Sequence, residues 1–355
     1  MRFQAIFAAA AFVAIAGSAQ AEDGSCSEWR EAGVIGDLRC ETVDGGAVIG
    51  AAARASEYAE VFPRAFAIFE DYFVPSEQKV ALVLQPEVSA ELTAALVADG
   101  YKPLPWIDNE TKAAMLRDSI VAQVEAQTAS LPEAQRAAVV QQALAKAEES
   151  APAHADPQME DGAIAHEIGH LLFNRYFDGR ETGSADSSAR YGSSAPDWLD
   201  EAAAVALEND AQTRGRYAAA REAYDADGTV LAFPLDTYLS MDHPLLQSAQ
   251  ALKTLKRGST GAVMLSGDEA DDFLEASGGK PAEFYRQTRL FIDYFMETSG
   301  DPRILYTIAE AYRDGGDLGG WLAQSGGENG LPTTLEALGT EFEAWARAKL
   351  ADETA

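Results

Sequence analysis

Between Ala51 and Phe73, apolar residues recur three and four positions apart, at Tyr58, Val61, Phe62, Ala65, Phe66 and Phe69. That period puts them on one stripe of an α-helix, which Pro63 either kinks or truly begins. The run Lys79-Val80-Ala81-Leu82-Val83-Leu84-Gln85 predicts a β-strand ended by Pro86. Val88 to Asp99 predicts a short helix closed by Gly100. Glu110 to Glu149 is rich in Ala, Gln and Glu, which suits one long helix or a helical hairpin broken near Leu131-Pro132. Either an insertion or a layer over the core fits that segment. Ser150 to Gln158, with Pro152 and Pro157, reads as a linker in which His154 is a solvent-exposed loop residue.

Met159 to Phe177 predicts another helix, with Ile164, Ile168, Leu171, Leu172 and Phe173 as its buried face. The polar stretch Asp178 to Ser194 follows as a surface loop. A helix then opens at Pro196-Asp197, with Asp197 as its N-cap, and runs to about Asp210. Pro281–Thr298, Arg303–Arg313 and Thr333–Leu350 all carry helical periodicity and are separated by Gly/Asp and Gly/Ser clusters. The last begins with a capping-box pattern, Thr333-Thr334-Leu335-Glu336. The expectation is an α+β fold, mostly helical, with a small sheet ahead of the Met159–Phe177 helix and a helical C-terminal part.

Composition adds an address. Met1-Arg2-Phe3-Gln4, an apolar run from Ala5 to Ala16, and Ala19-Gln20-Ala21 describe a secretory signal peptide over residues 1–21. Cleavage near Ala21 would release a mature chain into the periplasm or the medium. The apolar run is short for a membrane span and no later stretch qualifies, so no stable membrane insertion is expected. Cys26 and Cys40 lie in a Gly-rich stretch expected to be irregular, and in an oxidising compartment they read as a disulfide. The net charge of −30 argues against nucleic acid or an anionic membrane as partner. Two regions follow: 22–157, carrying the cysteines and the clear strand, and 158–355, carrying the chemistry.

Two of the chain's four histidines stand in Ala165-His166-Glu167-Ile168-Gly169-His170-Leu171. Four residues apart on a helix, both imidazoles face one way and can share a cation, with Glu167 beside them to take a proton from water. This H-E-x-x-H pattern points to zinc. A catalytic zinc ion needs a third protein ligand. A histidine six residues after the motif is excluded, because Phe173 and Tyr176 occupy the positions of the H-E-x-x-H-x-x-G-x-x-H pattern. A glutamate on the next helix is the other source. Glu201 is the candidate there, and Glu208, expected two turns further along the same helix, is the fallback.

Around Glu201 the chain resembles a known family. Trp198-Leu199-Asp200-Glu201-Ala202-Ala203-Ala204 is similar to the W-L-x-E-G-x-A helix that gives gluzincin metallopeptidases their third ligand, with Ala202 where the family has Gly. Phe284-Tyr285-Arg286-Gln287-Thr288-Arg289-Leu290-Phe291-Ile292-Asp293-Tyr294-Phe295 resembles the a-Y-x-Q-S-x-x-f-v-x-y-l helix of bacterial peptidase-MA-like domains. Glu343-Ala344-Trp345 stands near their terminal E-x-x-W, with looser spacing. The resemblance covers about Gln158 to Leu350. It implies a zincin-like fold and a peptide or protein substrate. His166, His170 and Glu201 would hold Zn²⁺, Glu167 would be the general base, and Tyr285 the hydrogen-bond donor to the oxyanion. His243, in Met241-Asp242-His243-Pro244, is the competing donor, although a loop histidine without a role is the plainer expectation. No G-x-M-E-N signature precedes the motif; Gly261-Ala262-Val263-Met264-Leu265 lies downstream and lacks the Glu and Asn. Exopeptidase action therefore has no support, and oligomeric state is left open. The rival expectation is an exported, non-catalytic zinc-binding or scaffold protein on a zincin-like fold.

Overall fold

Strand pairing begins at a tight turn. In the computed structural model, β1 (Arg39–Val43) and β2 (Gly46–Gly50) pair antiparallel, with Val43 opposite Gly46 across Asp44-Gly45. Gly45 takes φ +79°, the left-handed conformation such two-residue hairpin turns require. The structure describes residues 24–50, 55–85, 87–149, 156–179, 192–244 and 281–352. The leader, His154, most of the Asp178–Ser194 loop and Gly261–Leu265 lie outside the described residues.

The cysteine stretch is thus regular rather than irregular. Cys26 lies on helix α1 (Gly24–Glu31), Cys40 on β1, and a disulfide joins them with their Cα atoms 5.7 Å apart. From β2 the chain crosses through α2 (Ala55–Ala59) and α3 (Val61–Tyr72) to β3 (Lys79–Val83), which pairs parallel to β2. Pro63 falls in the first turn of α3, so it marks a start rather than an interior kink. A second crossover through α4 (Ala90–Ala98) leads to β4 (Tyr101–Pro105), parallel to β3. The mixed sheet has the order β1-β2-β3-β4. Pro103 and Pro105 fit β4 because an edge strand can lack ladder donors.

Alternation along β2 and β3 feeds two cores. Ala47, Ile49, Ala81 and Val83 meet Trp29, Leu92 and Leu96 on one face. Val48, Val80 and Leu82 face the larger core, shared with Phe62, Phe69 and the helices that follow. With both faces covered, the two strands read as continuous apolar runs.

The Ala/Gln/Glu-rich segment is a hairpin of α5 (Asn109–Gln127) and α6 (Glu133–Glu149), broken at Leu131-Pro132. No residue of α5 is buried, so it does not form a layer over the core. Its base is pinned instead: the buried Glu160 carboxylate accepts hydrogen bonds from Asn109 N (2.8 Å), Trp106 Nε1 (3.2 Å) and Tyr58 Oη (2.9 Å).

Helix α7 (Pro157–Asp178) runs between an Asp156 N-cap and a left-handed Gly179, and packs on α3 and α8 (Asp197–Ala206). The chain breaks after α8, earlier than expected, and Asn209 caps a separate helix α9 (Asp210–Asp227). Asp197 is the first helical residue, not the cap, which is Pro196. After α10 (Leu235–Ser240), the C-terminal part comprises α11 (Pro281–Ser299), α12 (Ile304–Arg313), α13 (Leu318–Trp321) and α14 (Leu335–Ala351). Thr334 alone caps α14, accepting from Ala337 N, so the capping box is not formed. The architecture is α+β and mostly helical, with a small four-stranded mixed sheet.

Candidate metal centre

The face of α7 opposite its apolar stripe would be unremarkable without the close approach of α8. Gly169 permits that approach. A Cβ there would lie 2.8 Å from Ala204 Cα and 3.4 Å from Ala203 O. Ala202, at the position where the resemblance calls for Gly, is simply buried, because the room is made on α7. The contact brings Glu201 over His166 and His170.

Both imidazoles and the two oxygens of one carboxylate converge. His166 Nε2 is 3.2 Å from His170 Nε2 and 3.1 Å from Glu201 Oε1, and His170 Nε2 is 3.6 Å from Glu201 Oε2. A tetrahedral zinc ion with bonds of about 2.05 Å separates its ligands by about 3.35 Å, which the two imidazole nitrogens and the His166–Glu201 Oε1 pair approach, and one donor atom from each of the three residues lies within 4.8 Å of the others. His166, His170 and Glu201 are all buried and grouped as potential metal ligands.

The outer ring nitrogens are fixed by carboxylates. His166 Nδ1 lies 3.1 Å from Glu208 Oε1, and His170 Nδ1 lies 2.6 Å from Asp200 Oδ1. An ionised carboxylate only accepts, so each Nδ1 carries a hydrogen and each Nε2 lone pair is available inward. Asp200 is itself held by Ser193 N at 2.6 Å, beside Gly192 at φ +80°, where a Cβ would come within 2.3 Å of the carboxylate. Glu208 is gripped by Arg216 through Nη2 (2.7 Å) and Nε (3.3 Å). Glu208 is therefore not a ligand. It lies past the end of α8, in the connection to α9, on the Nδ1 side of His166.

Burial makes this site a trap for positive charge. Glu201 is fully buried, and neither of its oxygens receives a well-formed hydrogen bond. An anion in that state needs a cation at hand. Burial, the largest single influence, would raise the Glu201 pKa, but the charges and contacts of His166, His243 and His170 together outweigh it and hold the carboxyl well below its usual range. Burial alone would lower His166, yet the charge and hydrogen bond of Glu201, with Glu208 behind, push it up to about 10. Without a metal, a proton on His166 fills the cationic role. A metal-free network of ion pairs accounts for the same distances.

Glu167 is half-buried on the same helix, and its side chain makes no hydrogen bond or ion pair among the described residues. Tyr285, also half-buried, presents its ring to His166 (centroids 5.7 Å apart, planes at 83°), with the Arg216 guanidinium carbon 4.6 Å from the ring centroid. Of the five residues expected at the site, His166, His170, Glu201 and Tyr285 are brought together, and Glu167 lies beside His166 on α7. His243 lies between elements, as expected, but it is not exposed. It is fully buried, Nε2 stands 3.4 Å from Glu201 Oε2, and its ring lies 5.0 Å from Phe284 and 5.5 Å from Tyr285. Sequence reasoning missed Asp200, Arg216 and this placement of His243. For Asp200, adjacency to Glu201 was a usable signal; for Arg216 there was none, because α9 was not foreseen. Comparison with protein-family profiles, curated proteins and solved structures yields no match to this chain.

Proposed function

We propose that the chain is an exported zinc-dependent metallopeptidase of the gluzincin type, with a zincin-like catalytic region and a peptide or protein substrate. One observation carries the reading: donor atoms of two histidines and one glutamate lie within 4.8 Å of one another in a buried cluster, with both imidazoles oriented from behind by carboxylates. His166, His170 and Glu201 would hold the ion. Zinc, when bound, acidifies water and polarises a carbonyl.

The rest of the chemistry belongs to side chains. Glu167, with no competing partner, takes the proton of the attacking water and hands it to the leaving amine. Tyr285 donates a hydrogen bond to the developing oxyanion without adding a fixed charge. His243 is not that donor, since it is enclosed beneath Phe284 and Tyr285. Export is supported by the leader pattern of residues 1–21 and by the Cys26–Cys40 disulfide. Among the described residues no helix is long and apolar enough to cross a membrane.

A second reading is a zinc-binding scaffold without turnover. The ion-pair network, which satisfies the cluster even with no metal, favours it. Glu167→Gln separates the two. In the enzyme, the variant keeps its zinc and loses peptide cleavage by several orders of magnitude, read by mass spectrometry on a peptide library. A wild-type protein that holds zinc and cleaves nothing in that library is the scaffold.

A further inference from the structure

A carboxylate that serves as a metal ligand with one oxygen leaves the other to be positioned by a neighbour. Glu201 Oε1 is the oxygen nearer His166, whereas Oε2 lies between His170 Nε2 at 3.6 Å and His243 Nε2 at 3.4 Å, an ion-pair distance rather than a formed hydrogen bond. His243 is itself held from two sides. Its backbone N–H donates to Asp197 Oδ2 at 2.6 Å, and its ring is packed by Phe284 and Tyr285. Asp197 and Glu201 are four residues apart on α8 and so share a face. One helix face thus grips His243 by its main chain at the first turn and meets its ring one turn later.

From this arrangement we infer that His243 is a positioning residue for the metal centre, its Nε2 set beside Oε2 of Glu201 so that the carboxylate keeps its orientation toward His166 and His170. Asp197 acts through it, by fixing where the ring sits. The inference rests on the zinc reading above. It differs from a ligand role, because His243 lies outside the group of atoms that converge on one point, which comprises His166, His170 and Glu201 alone among the described residues. It also differs from simple packing. A packing residue would be replaceable by any side chain of similar bulk, whereas a positioning residue must present an N–H at the place of Nε2.

Three variants of the full chain separate these roles: His243→Leu keeps bulk, His243→Gln restores an N–H near Nε2, and Asp197→Ala frees the main chain. Zinc affinity is measured by competition with a chromophoric chelator, and Co²⁺ absorption reports coordination number. Outer-sphere partners of this kind are worth about 10- to 100-fold in metal affinity, so His243→Leu should weaken zinc by that factor. His243→Gln should recover to within about threefold of wild type. Asp197→Ala should weaken zinc less, and adding it to His243→Leu should cost no more than His243→Leu alone, since both act through one ring. The Co²⁺-saturated variants should keep the wild-type coordination number. Equal zinc affinity in wild type and His243→Leu overturns the inference, as does a glutamine variant no better than leucine. A lost ligand in the Co²⁺ spectrum overturns it too, by making His243 a ligand. If wild type itself binds no zinc, the underlying metal reading has failed instead. Should His243→Leu not fold, the glutamine and Asp197→Ala comparisons stand without it.

Discussion

Replacing Gly169 by Ala inserts a methyl group at the contact that creates the metal centre. Its Cβ would meet Ala204 Cα at 2.8 Å and Ala203 O at 3.4 Å, both backbone atoms that no side-chain rotation can move. Carbon pairs rest at about 3.5–4.0 Å, so α7 and α8 must part by roughly 1 Å. Overpacking of this kind costs about 1–3 kcal/mol, against a helix-propensity gain of about 1 kcal/mol for Gly→Ala. A net loss of about 1 kcal/mol in stability follows. The larger effect falls on zinc, because ligand distances in metal sites hold to within about 0.2 Å. Moving Glu201 by several times that tolerance should weaken zinc binding at least tenfold, or about 1.4 kcal/mol. Chelator competition and thermal melts of the zinc-free protein measure the two effects separately. Gly215→Ala is the internal control: its Cβ would meet only Met159 Cε at 3.7 Å, so α9 should gain stability with zinc affinity unchanged. A Gly169→Ala protein that melts higher than wild type and binds zinc equally well would refute the argument.

Three further outcomes are expected. Asp200→Asn replaces the acceptor of His170 Nδ1 and Ser193 N, and should weaken zinc about 10- to 100-fold in the same competition assay; unchanged affinity would show that the carboxylate does not orient the ring. Tyr285→Phe should lower kcat by about 10²–10³ while leaving zinc content and KM near wild type, checked by steady-state kinetics on a cleaved library peptide. The third concerns pH. His166 is raised to about 10 in the metal-free fold, so its contribution to stability is complete below the ordinary value near 6.5 and is lost as pH rises through about 10. EDTA-treated protein should therefore lose melting temperature between pH 7 and 10, and a His166→Asn variant should lack that slope; a wild-type profile as flat as the variant's contradicts it.

The motif helix and its glutamate were legible because both elements carry dense apolar spacing, and buried helices have to. Ile164, Ile168 and Leu172 mark α7, and α8 is buried from Trp198 to Ala206. Much of the sheet was hidden for opposite reasons. β1 is half-exposed and lacks an apolar stripe, and β4 carries two prolines. The Asp44-Gly45 turn was the available signal for the first hairpin. Helix α9 has only Ala220 fully buried, so its pattern is faint, and with α9 unseen the turn that carries Glu208 behind His166 could not be drawn. His243 shows the limit most clearly. Its neighbours Asp242 and Pro244 mark a loop, and its burial comes wholly from residues distant in the chain, Asp197, Glu201 and Phe284.

The central claim is that His166, His170 and Glu201 form one zinc site. Equilibrium dialysis of EDTA-stripped protein against dilute zinc, read by elemental analysis, tests it directly. The account predicts about one zinc per chain in wild type, retention of that zinc in Glu167→Gln, and its loss in His170→Ala and Glu201→Gln. Wild-type protein that takes up no more zinc than the Glu201→Gln variant would contradict it, leaving the cluster as a buried network of ion pairs.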